Sequence, residues 1–237
     1  DLGALPQVPD GFKIEFAAKE PLVHNPCAMA FDDRGRFCLA MGPQYRSPTP
    51  ETPGDSVYIM VDEDGDGQFD SRRQFATGFN CIQSIAWRGR DLWVANSPDF
   101  TLVRDTDGDD VADEYLKIYT DLGNLEHGLH GLNWAPDGRL YMSKGNSKGL
   151  TLEGRIAPLP FRELWGVPSP EGSADFPPIA KSSPSEYRRL FHDPADNWGR
   201  EGGVLVCDDL GKNLEIVSRG YRNPWDIAFD SEFNWQG

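Results

Sequence analysis

The feature that most constrains this chain is a repeat of roughly forty-odd residues, the length of a repeated β-sheet unit. Each copy combines an apolar residue, an aromatic residue, a charged turn and a second apolar run. The copies are "MAFDDRGRFCLAMG" (29–42), "IAWRGRDLWVANSP" (85–98), "LNWAPDGRLYMSKGN" (132–146) and "IAFDSEFNWQG" (227–237). Each predicts a β-hairpin, because two short apolar strands flank a tight turn rich in Asp and Gly.

A second kind of hairpin lies between these copies. Two examples carry acidic loops that begin at Asp62 and Asp105, 43 positions apart, and "GGVLVCDDLGKNLEIVSRG" (202–220) is a third with a plain turn. Two alternating hairpins per unit are typical of a four-stranded propeller blade. One such sheet cannot cover both of its faces, so we predict an all-β propeller with about four blades in this chain. A β-sandwich is the alternative, but it does not predict a repeat of this length.

One region interrupts the repeat. Residues 150–200 are rich in Pro and Ser, and we interpret them as a long insertion over one face of the propeller. A functional lid and a surface loop are equal alternatives for it. The last hairpin reaches Gly237 near the beginning or end of its second strand. A closed propeller needs more blades, so we expect the domain to continue beyond residue 237 or to receive blades from elsewhere.

The net charge and the apolar content exclude several classes of partner. The formal net charge of −15 would repel nucleic acids and anionic lipids, so we expect neither as a partner. No apolar run is long enough for a transmembrane helix. No leader peptide is recognisable after Asp1, which is consistent with one that has been removed.

The four cysteines form neither a CxxC nor a CxxCH motif, which excludes zinc ribbons and attached haem on this stretch. Two disulfides or four buried thiols remain equal alternatives.

The acidic loops predict calcium sites. A DxDxDG spacing places alternating carboxylates inside a tight loop, and oxygen ligands in a flexible loop suit Ca²⁺ better than Zn²⁺ or Mg²⁺. The predicted ligands of the first loop are Asp62, Asp64, Asp66, Gln68 and Asp70, and those of the second are Asp105, Asp107, Asp109, Val111 and Asp113. The role of the bound Ca²⁺ would be structural, because it would stabilise the tip of a long hairpin.

Two departures separate these loops from helix–loop–helix calcium sensors. Asp110 stands where the second loop should have the turn glycine, and Arg73 and Leu116 stand where a sensor loop would have its bidentate Glu. A solvated acidic turn without metal is therefore the alternative for each loop.

Several phrases resemble a known family. They are "PDGFKIEFAAKEPLVHNPCAMAFDDRGRF" (9–37), the two acidic loops, "LNWAPDGRLY" (132–141) and "GGVLVCDDLGKNLEIVSRGYRNPWDIAFD" (202–230). They resemble the membrane-bound dehydrogenase domain proteins, whose longer members end in a haem-binding CxxCH module. That family is similar to the soluble quinoprotein glucose dehydrogenases and aldose sugar dehydrogenases. The resemblance covers most of the chain except residues 150–200, and it implies a six-bladed propeller in the periplasm or outside the cell.

The resemblance also implies site residues. Sugar dehydrogenases of this type bind pyrroloquinoline quinone and calcium, and their catalytic His stands seven positions before an aromatic residue that opens a turn. His127 has that position relative to Trp134, and His130 is the alternative if the register slips. The "GYRNP" stretch gives Arg222 and Asn223 as residues that contact the quinone, with His130. The next residue is commonly Gln in the family but is Trp225 here.

Three functions follow in order of preference. The first is an exported oxidoreductase that oxidises a sugar or alcohol, with His127 taking the hydroxyl proton, Arg222 stabilising the reduced quinone, and a cytochrome or haem domain as partner. The second is a non-catalytic module for carbohydrate binding or assembly, which Trp225 and the absence of CxxCH favour. A carbohydrate lyase or hydrolase ranks last, because no pair of carboxylates lies outside the acidic loops in a pattern that predicts acid–base catalysis.

Overall fold

The computed structural model describes residues 5–45, 52–97, 99–119, 122, 127–146 and 202–236. The predicted insertion at 150–200 lies outside these residues. The strands of the described part are β1 (Pro26–Phe31), β2 (Phe37–Met41), β3 (Asp55–Val61), β4 (Ser71–Phe79), β5 (Ile82–Arg88), β6 (Asp91–Asn96), β7 (Asp99–Arg104), β8 (Glu114–Tyr119), β9 (Leu129–Trp134), β10 (Leu140–Lys144), β11 (Gly202–Cys207), β12 (Glu215–Tyr221), β13 (Ala228–Phe229) and β14 (Trp235–Gln236).

These strands form three four-stranded antiparallel sheets in chain order, β1 to β4, β5 to β8 and β9 to β12, and a two-stranded ribbon of β13 and β14. The first strand of each sheet lies against the first strand of the next, β1 against β5 and β5 against β9. Sheets stacked through their first strands are blades arranged around an axis, so the predicted propeller architecture is confirmed. We number the three sheets blades 1, 2 and 3 in chain order. The blades formed by the described residues do not close into a ring. No helix occurs among the described residues, and so none there could cross a membrane.

One turn recurs in three hairpins, between β1 and β2, between β11 and β12, and between β13 and β14. In blade 1 the Asp32 carboxylate accepts the N–H groups of Arg34 and Arg36, at 3.0 and 2.8 Å. Gly35 takes the left-handed conformation in this turn, with φ of 75°. The carboxylates of Asp208 and Asp230 accept N–H groups in the same pattern. The Asp/Gly signal in the sequence therefore corresponds to a side chain that satisfies the backbone of a tight turn.

The cores lie between blades, as a stack of sheets requires. One core joins blades 1 and 2, a second joins blades 2 and 3, and a third packs blade 3 against the ribbon. Trp93 stacks on Phe100 within blade 2 and meets Trp134 of blade 3 edge-on, with ring centroids 6.0 Å apart. Trp87 of blade 2 packs on Phe75 of blade 1 at 5.0 Å. The recurring tryptophans are therefore inter-blade packing groups.

The face of blade 1 that points away from blade 2 is only partly covered. Residues of the N-terminal segment pack on it, but Met29 and Phe31 of β1 are 70% and 65% exposed. The positions equivalent to Met29 in blades 2 and 3 are Ile85 and Leu132, which are 4% and 6% exposed. This apolar face is thus built like the inter-blade faces.

All four cysteines are free thiols. Burial raises the pKa of Cys38 and Cys207 to about 12, with smaller contributions from nearby carboxylates. These thiols therefore behave as small apolar core groups rather than nucleophiles.

Candidate functional site

Four equivalent positions meet at one end of the axis. Each lies four residues before an aromatic residue, Phe31, Trp87, Trp134 or Phe229, on the inner strand of its blade or just before it. They are Cys27, Gln83, His130 and Trp225. Because β1, β5 and β9 lie side by side, these side chains converge, and we call this place the axial mouth.

The axial mouth contains a cavity of about 390 Å³. Its side chains come from Asn25, Cys27, Tyr45, Gln83 and Trp225, with Pro26, Gly42 and Ile82 completing the wall. None of these described residues carries a charge at neutral pH, because burial raises the pKa of the Cys27 thiol to about 12 and the nearby Asp55 adds to that shift. The cavity is therefore a neutral, partly aromatic pocket of the size used for small molecules.

His130 is a fixed, neutral part of the wall behind Trp225. Its side chain is fully buried, and its Nε2–H donates to Asn223 Oδ1 at 2.9 Å. The Trp225 ring stacks on it, with centroids 4.3 Å apart. Burial lowers the pKa of His130 to about 4, although the Asn223 hydrogen bond opposes this. His130 is thus suited to hold Trp225 in place rather than to exchange protons at neutral pH.

His127 lies two residues before β9 and is half-buried. Its Nδ1 is 2.6 Å from Asn146 Oδ1. An amide oxygen can only accept, so Nδ1 carries the proton and Nε2 carries the lone pair. The Asn146 N–H donates to the carbonyl oxygen of Arg222 at 2.7 Å, and the Gly145 N–H donates to the carbonyl oxygen of Gly128 at 2.9 Å. The end of β10 therefore ties His127 to the Arg222–Asn223 stretch.

Sequence reasoning missed Asn146. The available signal was an amide residue two positions after a second strand, at the same end of the blade as His127. The structure brings the predicted residues His130 and Asn223 into direct contact. The Arg222 side chain is exposed and makes no ion pair within the described part of the chain.

Asp55 is a buried carboxyl group that the sequence did not indicate. It is fully buried and accepts two backbone N–H groups, that of Gln44 at 2.9 Å and that of Ile82 at 2.7 Å. Ile82 begins β5, so Asp55 joins blade 1 to the first strand of blade 2. Burial raises the pKa of Asp55 to about 8, although both hydrogen bonds oppose the shift.

The first acidic loop brings some of its predicted ligands together. One carboxylate oxygen each of Asp62, Asp64 and Asp70 lies within 4.8 Å of the other two. Asp62 also accepts the N–H groups of Gly65 and Gly67, at 2.8 and 2.9 Å. These bonds fix the tight loop and place Gly67 at the predicted turn, with φ of 88°. Asp66 accepts the N–H of Gln68 and is outside the three-residue cluster.

The second loop repeats this conformation. Asp105, Asp107 and Asp109 form the cluster, and Asp105 accepts the N–H groups of Gly108 and Asp110. Val111 donates its N–H to Asp109 at 2.8 Å. Asp113 accepts the N–H and hydroxyl of Thr106 and is outside the cluster.

Asp110 explains why the second loop departs from the glycine pattern. It adopts the left-handed conformation, with φ of 67°. Its carboxylate binds Arg36 at 2.8 Å, Arg34 at 3.2 Å and Arg73 at 3.4 Å, all in blade 1. The Arg36 hydrogen bond, helped by the other guanidinium groups, lowers the pKa of Asp110. Asp110 is therefore an inter-blade clamp at the position that the turn pattern reserves for glycine.

Comparisons with known proteins give one family and several structural similarities. A family model described as a domain of unknown function, DUF7133, matches residues 5–157. No curated protein matches the chain. A Trichoderma reesei enzyme of Carbohydrate-Active Enzymes Family AA12 is 14% identical, with a TM-score of 0.46 over 60% of this chain and 34% of that one.

A Thermus thermophilus protein described as an oxidoreductase (glucose dehydrogenase) is 15% identical, with a TM-score of 0.49 over 89% of this chain and 56% of that one. The chain thus spans about a third to just over half of the length of these two structures. Neither similarity assigns an activity to it.

Proposed function

The chain belongs to the DUF7133 family, whose description names no function, and we propose from its axial mouth that it is an exported oxidoreductase that oxidises a sugar or alcohol. The observation that carries the proposal is the hydrogen bond of 2.6 Å between His127 Nδ1 and Asn146 Oδ1, where His127 stands three positions before His130 of the axial mouth. The chain spans only part of the length of the structures it is similar to, and the proposal concerns the activity of the whole protein.

The role of His127 follows from its tautomer. With the proton on Nδ1 held by Asn146, Nε2 is the basic atom that can accept the proton of a substrate hydroxyl. Asn146 is a positioning residue, because it sets the ring plane and the tautomer without touching the substrate. An amide partner orients the ring but gives less electrostatic support to an imidazolium than a carboxylate would.

The cofactor that we propose is pyrroloquinoline quinone, which is planar and anionic, and its charge would be met by Arg222 rather than by the neutral residues that line the cavity. When bound, the quinone would accept the hydride that leaves the carbon of the substrate. Arg222 fits that group because its guanidinium is exposed and has no carboxylate partner among the described residues. Asn223 would act through His130, whose position it fixes. A haem protein is the proposed electron acceptor.

Replacing His127 with alanine tests this function. We expect kcat for aldose oxidation by the protein reconstituted with quinone and calcium to fall at least about 100-fold, because a positioned base typically contributes that much. His24→Ala is the matched control, since His24 is exposed on the N-terminal segment, and its kcat should not change. Wild-type turnover in His127→Ala would remove this residue from the mechanism.

A non-catalytic carbohydrate-binding module is the second candidate. Trp225 at the axial mouth favours it, because an exposed aromatic ring is a common sugar-binding surface. Saccharide binding with no quinone bound and no turnover in any reconstitution would favour this candidate over the oxidoreductase.

We also propose that each acidic loop binds Ca²⁺ through its three clustered carboxylates. Three carboxylates whose oxygens lie within 4.8 Å of one another repel, and a cation between them removes that repulsion. A ligand that binds only the folded state stabilises it, by about 2.7 kcal/mol at a concentration of 100 times Kd. The cation would therefore strengthen the hairpins that carry the inter-blade contacts.

We expect Ca²⁺ to raise the unfolding temperature of the wild-type protein and to raise it less in Asp64→Asn. The control is Glu63→Gln, because Glu63 is acidic and exposed in the same loop but lies outside the cluster. Scanning calorimetry with calcium and with a chelator gives the comparison. Equal curves for the wild-type protein under both conditions would contradict calcium binding.

A further inference from the structure

We propose that the open face of blade 1 is the docking site of a further four-stranded β-sheet blade, one that carries a basic residue in its first hairpin. The open face consists of Met29 and Phe31 of β1 and the groove beside them. The proposal concerns an interaction surface and is independent of the proposed activity.

One cross-strand pair of the first two strands recurs in every blade. Its members are Met29 and Leu39 in blade 1, Ile85 and Val94 in blade 2, and Leu132 and Met142 in blade 3. In blades 2 and 3 both members are buried in the core that the blade shares with the preceding blade. In blade 1 the N-terminal segment covers Leu39, whereas Met29 is 70% exposed. Blade 1 therefore has an inter-blade face whose partner sheet is not among the described residues.

Phe31 shows the same relation. Its equivalents are Trp87, which packs on Phe75 of blade 1 with ring centroids 5.0 Å apart, and Trp134, which meets Trp93 of blade 2 at 6.0 Å. Both contacts reach the preceding blade. Phe31 is 65% exposed, and a largely apolar groove of about 660 Å³ lies beside it. Exposed apolar residues grouped beside such a groove are typical of a protein interface rather than of a solvated sheet face.

Charge identifies the kind of sheet that fits the open face. In both inter-blade interfaces an arginine in the first hairpin of one blade binds an aspartate in the second hairpin of the next. Arg36 binds Asp110 at 2.8 Å, and Arg88 binds Asp209 at 3.4 Å. The second hairpin of blade 1 carries the first acidic loop, where Asp66 is exposed and lies outside the carboxylate cluster. An arginine in the first hairpin of a blade docked on the open face would continue this series.

A second copy of this chain does not supply that chemistry. The sheet at its other end, the ribbon of β13 and β14, has Asp230 and Glu232 in its turn and no basic residue there. This turn beside Asp66 would bring like charges together, which disfavours association. The occupant is therefore a blade of different sequence, with the chemistry that blade 2 presents to blade 3, which is Arg88 beside an apolar face.

Fusion of an extra blade to the intact chain tests the proposal. The probe is a copy of residues 80–119, which contain blade 2, joined ahead of residue 1. We expect hydrogen peroxide to oxidise Met29 at least about tenfold more slowly in the fusion than in the unfused chain, because the docked blade would cover the thioether. Peptide mass spectrometry measures the rates, and the buried Met142 is the internal reference.

Two variants of the fusion show whether docking protects Met29. Phe31→Lys should restore fast oxidation, because an ammonium group is costly to bury in the interface. Arg88→Ala within the copy should restore it in part. Phe12→Lys is the matched control, since Phe12 is 73% exposed and does not line the groove, and Met29 should stay protected in it.

Equal oxidation of Met29 in the fusion and in the unfused chain would overturn the proposal, and so would protection that survives Phe31→Lys. Sedimentation of the unfused chain tests the other occupant, and we expect a monomer. A dimer that Phe31→Lys dissociates would assign the open face to a second copy and contradict the proposal.

Discussion

Gly145→Ala is expected to lower kcat about 100-fold and to lower the free energy of unfolding by about 3 kcal/mol or more. A Cβ atom at this position would lie 2.8 Å from both Cα and the carbonyl carbon of His127, and it would overlap Asn223 Oδ1. Neither His127 atom belongs to a flexible side chain. The backbone of His127 would therefore have to move, and a displacement of about 1 Å can cost about 100-fold in rate.

The control for this experiment is Gly89→Ala. Gly89 has φ of 57° but nothing lies within 4 Å of its added Cβ, so we expect only the conformational cost of about 1 kcal/mol and unchanged turnover. Urea unfolding gives the stability, and steady-state kinetics of the reconstituted enzyme give the rate. Normal kcat in Gly145→Ala would mean that the contact with His127 has no part in catalysis.

Asp55 is expected to make the protein less stable as the pH rises from about 4 to about 8. The pKa of Asp55 is raised from 3.8 to about 8 in the folded state. Between these values the folded state keeps a proton that the unfolded state has lost, so unfolding releases a proton. The contribution is fully present below pH 3.8 and is lost by about pH 8, at about 1.4 kcal/mol per pH unit.

Asp55→Asn should flatten this pH dependence, because the amide does not titrate and its oxygen can still accept a backbone N–H. Urea unfolding at several pH values measures the slope, and Asp33→Asn is the control because Asp33 is exposed on the recurrent turn of blade 1. Asp55→Ala should lower stability at every pH, since the N–H groups of Gln44 and Ile82 would lose their acceptor. An unchanged slope in Asp55→Asn would show that another group causes the effect.

The blades could be predicted from the sequence because their signals are local. A strand, a turn and a return strand lie within one repeat, and the Asp32 turn closes within four residues. The apolar runs then mark strands that are buried on both faces, as Leu92, Trp93 and Val94 of β6 show. The same locality made the acidic loops recognisable, since their N–H bonds to Asp62 and Asp105 span at most five residues.

The site residues were harder to predict because their contacts are long-range. His130 meets Asn223 across 93 positions, and Asp110 meets Arg36 across 74. Asn146 could not be identified as a site residue from the sequence, because only the fold brings it, at the end of β10, next to His127. Asp55 carries no motif, and its role depends on full burial between two blades. No repeat pattern contains this information, since each such contact occurs once.

The four equivalent positions of the axial mouth separate the framework of the molecule from its recognition surface. The large apolar residues that pack the blades, such as Ile85 and Leu132, lie at other positions of the inner strands, so Cys27, Gln83, His130 and Trp225 differ from one another while the strands keep the same register. A substitution at one of these positions therefore changes the recognition surface at one blade and leaves the surfaces of the other blades intact.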